Sequence, residues 1–215
     1  MLRMLRIGTL FIGALTLTAC ADQLPPVNFS VPSVGPATQK VDAELRSITV
    51  TLARPDEQLG RMDVTLAETS GMGPGSGLGV SSAWRTALEE ALNRMVIFRD
   101  DAARKVSLQV KVLKLEGPMF GATMTTDTAA RYEVINRANG DIIFITDVSA
   151  SGTTPFDHAF LGAIRARESI NRAVQNNIAL FLQQLETADF SKPMFPAGSP
   201  LPPLPRAVPP EGGKS

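Results

Sequence analysis

The chain has 215 residues, 44% hydrophobic and 20% charged, with 21 basic side chains against 21 acidic ones. That length suits one domain plus extensions, with a core of about 150 residues. Zero net charge supplies no field for a polyanion, so a nucleic-acid partner is not expected. One cysteine and one histidine exclude an internal disulfide and leave too few ligands for an all-protein zinc site.

The chain opens MLRMLRIGTLFIGALTLTAC. Arg3 and Arg6 form a positive start, and Ile7 to Leu17 is apolar and uncharged. That stretch is roughly half of the ~20 residues a spanning helix needs, so a secretory signal is favoured over a membrane span. It ends in Leu17-Thr18-Ala19-Cys20. This resembles the lipobox of bacterial lipoproteins: a branched apolar residue, two small residues and a cysteine. The resemblance implies that residues 1–19 are a signal peptide. It also implies a diacylglyceryl group on the Cys20 sulfur and an N-acyl chain on the new N-terminus. Acyl chains contribute ~0.8 kcal/mol per buried CH₂, and more than one gives stable anchoring. These lipid chains are the only attached groups expected; no cofactor, metal or nucleotide is. The alternative is a plain secretory signal that contains a cysteine.

Without Arg3 and Arg6 the mature charge is 19 minus 21, or −2, so electrostatic adhesion to anionic lipid is not expected. In Gram-negative lipoproteins an Asp directly after the cysteine favours inner-membrane retention. Ala21 holds that place here and Asp22 comes one later. The resemblance therefore implies the periplasmic leaflet of the outer membrane, with the periplasmic side of the inner membrane as the alternative.

Prolines draw the boundaries. Of sixteen, four lie in residues 21–40 and eight in residues 191–215. Residues 20–40 read as the lipidated cysteine and a tether, about 60 Å long if fully extended at ~3.1 Å per residue. Residues 191–215 read as a proline-rich, extended or disordered tail. An α+β domain is expected between them, over residues 41–190.

Within the domain, Leu45 to Ala53 places Ile48, Val50 and Leu52 on one face of a strand. Arg61 to Ala67 is a shorter candidate strand, with Met62, Val64 and Leu66 alternating. From Gly71 to Gly79 every second residue is glycine. A helix is predicted over Ser82 to Phe98, with Trp84, Leu88, Ala91, Leu92 and Met95 on one side and Ser81 or Ser82 as N-cap. Lys105 to Leu115 is the clearest strand, one face apolar and one polar. Its phase breaks at Leu113-Lys114-Leu115, which predicts a bulge. Strands at Thr125 to Asn136 and Asp141 to Ser149 flank Asn139-Gly140, a hairpin signal. Phe160 to Leu185 carries a long helical stripe: Ile170, Val174, Ile178, Phe181 and Leu185.

The predicted order is β-β-α-β-β-β-α. It argues an α+β fold with a mostly antiparallel sheet of four or five strands and both helices on one face. This order is similar to that of small outer-membrane lipoproteins of the lipopolysaccharide-assembly and lipid-transport-auxiliary types. The likeness is one of element order and transfers no site residue.

Candidate chemistry is sparse. The glycine run fails the dinucleotide fingerprint, because the sixth position falls on Ser76, Leu78 or Val80. It fails the P-loop because no lysine lies between Lys40 and Lys105. Gly79-Val80-Ser81-Ser82-Ala83 lacks the closing glycine of a nucleophile elbow, and Asp157 is badly placed to orient its neighbour His158. Arg165, Arg167 and Arg172 cluster on the last helix with Glu168 between them. They read as a solvated face with weak ion pairs or, with His158, as a ligand or partner surface. Leu201 to Arg206 resembles a polyproline docking motif, though spacing or disorder is favoured there.

The expectation is a non-catalytic envelope lipoprotein acting as an adaptor or as an assembly or transport accessory. It is held to the membrane by Cys20 and binds a protein partner, with an edge strand at Arg61 to Ala67 available to receive it. A lipid- or glycan-binding module is the alternative. A hydrolase is least favoured.

Overall fold

The computed structural model describes residues 27–67, 78–118 and 121–205. The signal segment with Cys20, and the glycine run as far as Gly77, lie outside the described residues.

Strand β1 (Glu44–Leu52) is followed by a single helical turn, α1 (Val64–Ala67), and by helix α2 (Leu78–Met95). Strands β2 (Lys105–Glu116), β3 (Met124–Asn136) and β4 (Ile142–Thr154) come next, then a 3₁₀ turn at Phe156–His158 and helix α3 (Gly162–Glu186). The four strands lie side by side in chain order, as one sheet. β2, β3 and β4 are antiparallel neighbours, whereas β1 runs parallel to β2. A parallel pair needs a long crossover, and α2 supplies it.

The α+β architecture is the one the sequence predicts. One element is not: Arg61 to Ala67 is no strand. Met62 alone bridges to Leu115, and the chain then coils into α1. Leu59 and Asp63 donate backbone bonds to the carbonyls of Leu113 and Leu115, so this stretch only prolongs the β1 edge beyond Leu52. Without it, the alternation of Met62, Val64 and Leu66 is three residues long and has no further partner to register against. The N-cap also shifts. α2 begins at Leu78, so Ser81 and Ser82 stand inside its first turn. Val80 is fully buried there, and its packing sets the start of the helix.

The break in β2 is a bulge. The register slips between Val112 and Lys114, opposite Ala130 and Ala129. The extra residue sends Leu113 to the outer face, where it joins Ala53 and Ala129 in a small second cluster. On the inner face Val106, Leu108, Val110 and Val112 meet Ala130, Tyr132 and Val134, and both helices pack on them. The Tyr132 ring stacks on Phe181 at 4.0 Å between centroids.

Burial of the Tyr132 hydroxyl is tolerated because it is bonded twice. It accepts from Trp84 Nε1 (3.2 Å) and donates to Asn177 Oδ1 (2.7 Å). Asn177 Nδ2 donates onward to Thr128 Oγ1 and the Val148 carbonyl. Desolvation drives the Tyr132 hydroxyl well above its ordinary pKa, which keeps it neutral. This chain of bonds ties α2, β3, β4 and α3 together. Gly152 permits the closest approach: a Cβ there would lie 2.1 Å from the Ala173 nitrogen and 2.5 Å from the Ser169 carbonyl oxygen. Only glycine lets α3 lie down on β4.

Residues 27–41 are not a free tether. They form a strap between α2 and α3, which make little direct contact with each other. Phe29 is 2% exposed and meets the Trp84 ring edge-on at 6.1 Å. Val31 and Val41 are buried with it. Arg94 donates to the Val31 carbonyl, and Ala37 and Val41 donate to the carbonyls of Met95 and Ile97.

A second strap crosses the outer face of the sheet. Phe195 exchanges two backbone bonds with Ile142 at the β4 edge. Farther on, Arg131 donates to the carbonyls of Pro202 and Pro203, and Leu204 packs on the Leu113 cluster. The tail is therefore extended and docked as far as Pro205. Residues 206–215 lie outside the described part.

Candidate functional site

The candidate site residues of the described chain converge on one corner, where β4 turns into α3. Pro155 ends the strand, since it brings no N–H to a ladder. The next three residues coil into the 3₁₀ turn, closed by the His158 N–H on the Pro155 carbonyl. Ala159 is extended again, and α3 starts at Gly162 after Leu161. Leu161 has no side-chain oxygen to cap the helix; its carbonyl accepts from the Ile164 and Arg165 N–H groups.

Arg165 holds this corner from beneath. It is 5% exposed, and its Nη1 donates to the carbonyls of Ala159 (2.5 Å) and Phe160 (2.8 Å). Its guanidinium carbon lies 4.9 Å from the centre of the Phe156 ring, within cation–π range. Arg165 Nε, buried, has no partner among the described residues.

The arginines thus do not form a solvated face. Arg167 is 2% exposed, and burial holds its guanidinium below the ordinary pKa. Arg172 alone matches the expected ion pair, donating to Glu168 at 2.8 Å. It also donates to the Thr153 carbonyl, while Asn176 takes that of Ser151, so α3 covers the outer backbone of β4. The i, i+3 and i+7 spacing of charges cannot say which side of a helix meets the sheet. In α3 the turn above Ile170 buries arginine where a hydrophobe is usual.

His158 is exposed, and no hydrogen bond joins its ring to Ser81 or Ser82. Asp157 is exposed beside it. No nucleophile–base pair is assembled at this corner.

The turn presents carbon instead. Phe160 is 90% exposed, Phe156 57% and Leu161 41%. The sequence hid this feature. Phe160 shares the spacing of Ile170 and Val174 and reads as the first residue of the stripe. Starting α3 at Gly162 takes it out of phase and into solvent. The usable signal is Gly162 itself, a weak residue inside any helix that includes Phe160.

The grooves elsewhere are shallow. One of about 380 Å³ lies at the opposite end, lined by both charged side chains, among them Lys40, Arg104 and Asp189, and apolar ones, Ile97, Leu185 and Phe190. Among the described residues no group of three or more His, Cys, Asp or Glu side chains is placed to hold a metal. No described helix is long and apolar enough to cross a membrane.

No protein-family model matches the sequence, and no curated protein is similar to it. Several solved structures resemble it in outline. A Xanthomonas campestris protein of family DUF330 is 9% identical over 72% of this chain and 94% of its own, with a TM-score of 0.44. PelC from Paraburkholderia phytofirmans, a dodecamer, is 15% identical over 72% and 93%, with a TM-score of 0.39. A minor lipoprotein from Acinetobacter baumannii is 13% identical over 68% and 92%, with a TM-score of 0.34. Likeness at this level assigns the chain to no family and gives it no activity.

Proposed function

We propose that this chain is a lipid-anchored protein of the bacterial cell envelope that works by binding and not by catalysis. The carrying observation is Leu17-Thr18-Ala19-Cys20, whose cysteine stands seven positions before Val27, a residue packed against the core. A cysteine so close to the domain suits an anchor that holds it against a membrane. The periplasmic leaflet of the outer membrane is the proposed location, because Ala21 follows the cysteine.

The proposed partner is an envelope protein contributing a strand. β4 has its outer backbone covered by Arg172, Asn176 and the second strap. Between Arg46 and Leu52, no described segment is hydrogen-bonded to the outer edge of β1. Open edges of this kind accept added strands.

Metabolic labelling with palmitate tests the anchor: wild type takes up label, Cys20→Ser does not, and an unlabelled wild type overturns the proposal. A photo-crosslinking residue at Thr49, on the β1 edge, tests the partner in cells. It is expected to capture an envelope protein that the same residue at Ala138 does not. Equal capture at both positions removes β1 as the docking edge.

A further inference from the structure

We infer that the corner from Pro155 to Gly162 is a second membrane contact. Phe160 enters the headgroup layer of the membrane that holds Cys20, with Phe156 and Leu161 beside it, and so fixes the orientation of the domain. The inference rests on the anchored reading above.

Direction comes from the first strap. Asn28 bonds to Asn171 and Gln175, whereas Thr38 bonds to Glu186. The strap therefore runs along α3 from its middle to its C-terminal end. Followed back from Thr38 to Asn28, the described chain advances along α3 toward the β4–α3 corner. Asn171 is nine residues from Gly162, about 14 Å along a helix at ~1.5 Å per residue.

Reach comes from the six residues between Cys20 and Val27. At ~3.3–3.6 Å per residue the seven steps from Cys20 to Val27 span about 25 Å at most. A domain on so short a lead turns one end to the membrane, and the corner is at that end.

Chemistry agrees. An apolar side chain exposed to 90% has no role inside the domain. The turn is also stiffened, because Arg165 binds the carbonyls of Ala159 and Phe160, which flank the Phe160 Cα, and faces the Phe156 ring. The charges at the turn nearly cancel. Asp157 and His158 are exposed, Arg165 is buried, and Glu168 is paired with Arg172. The opposite end of the sheet carries the polar hairpin Arg137-Ala138-Asn139-Gly140, and the exposed apolar side chain near it, Met194, is 53% exposed against 90% for Phe160. Aromatic rings with mixed surroundings settle at the boundary between headgroups and acyl chains.

Lipidation itself makes the test specific. Cys20 is the only cysteine, and a diacylglyceryl thioether leaves no free thiol. A cysteine introduced at His158 or at Ala138 is then the single site for a spin label. The full-length lipidated chain is reconstituted in protein-free phosphatidylethanolamine/phosphatidylglycerol vesicles at low protein density. Collision of the label with oxygen, which concentrates in lipid, is compared with collision with a water-soluble nickel chelate. The expected result is a ratio several-fold higher at His158→Cys than at Ala138→Cys, returning to the Ala138 value when Phe160→Ser is added. Equal ratios at the two positions with Cys20 blocked overturn the membrane contact alone. Protection at His158 that vanishes as protein is diluted in lipid assigns the corner to a second copy of the chain and overturns it too. A free thiol on wild-type Cys20 overturns the anchor, and the membrane contact with it.

Discussion

Two proline-bearing segments leave this domain, and both end up as straps, yet they are held in different ways. The strap at residues 27–41 fills a gap. α2 and α3 stand too far apart to pack on each other, and Phe29, Val31 and Val41 make up the missing core. The strap at residues 191–205 covers a face that is already complete. It leaves Met194 and Leu201 exposed and is fixed at a few polar points, chiefly the Arg131 fork. Proline does not decide the depth of docking, since the buried strap at residues 27–41 has two prolines and the superficial one at residues 191–205 has six. What separates them is the surface that each one meets: a hydrophobic trough in one case, a flat half-polar sheet in the other.

The largest effect that would break this contrast is Phe29→Ala. Emptying a buried aromatic site costs about 3–5 kcal/mol, read as a drop in denaturant midpoint at constant slope. A loss below about 1 kcal/mol would mean that the first strap is as superficial as the second.

Next comes Asp147→Asn. Asp147 binds Arg131 through two bonds of 2.7 Å each, and the same guanidinium holds Pro202 and Pro203. Removing the charge is expected to cost about 1–2 kcal/mol and to release the tail to proteolysis near Leu201. The first strap should stay protected.

Val96→Gly acts in the other direction. Val96 follows α2 with a φ of 49°, a left-handed conformation that is costly for a β-branched residue. It lies between Met95 and Ile97, whose carbonyls receive the first strap. The variant is expected to gain about 1 kcal/mol, visible as a higher melting temperature.

The smallest effect is one of pH. Lys111 beside Glu57, with the Arg54 backbone N–H, holds the Glu57 carboxyl down to about 2. A depressed folded pKa contributes stability that is full above the unfolded value, near 4.5, and is lost as pH falls through about 2. Glu57 steadies the loop before Leu59, which supports Leu204. Glu186, also held low by its bonds from Thr38, makes that end of the first strap acid-sensitive too, so acid below pH 4 should loosen Leu204 before the buried Phe29 rather than one whole strap before the other. Following amide shifts of Leu204 and Phe29 through the titration checks this; simultaneous loosening would contradict it.

Much of the fold was legible in the sequence. Alternation marked β1, β2 and β3, and the phase break at Leu113 marked the bulge. Where a pattern had few repeats it misled: Met62, Val64 and Leu66 alternate, but no strand forms. The parallel pairing of β1 with β2 was hidden by that false strand, which made a βαβ unit read as two strands and a helix. The straps were invisible because composition records an extended backbone and not what lies beneath it. The corner was half legible. Arg165 and His158 were singled out, but as polar groups, whereas Arg165 is buried and the exposed chemistry is that of Phe156 and Phe160. Residue type alone does not reveal an arginine spent on holding two carbonyls.

The direction of the first strap also decides how the domain bears load. Under the proposed anchoring, a partner pulling on the sheet while acyl chains held Cys20 would put tension along residues 27–41. These residues run along α3, so the bonds of Asn28, Ala37, Thr38 and Val41 and the buried Phe29 and Val31 are strained together in shear. A segment lifted across its axis would give way one contact at a time. The fold is thus arranged to resist a pull applied at Val27 along the axis of α3.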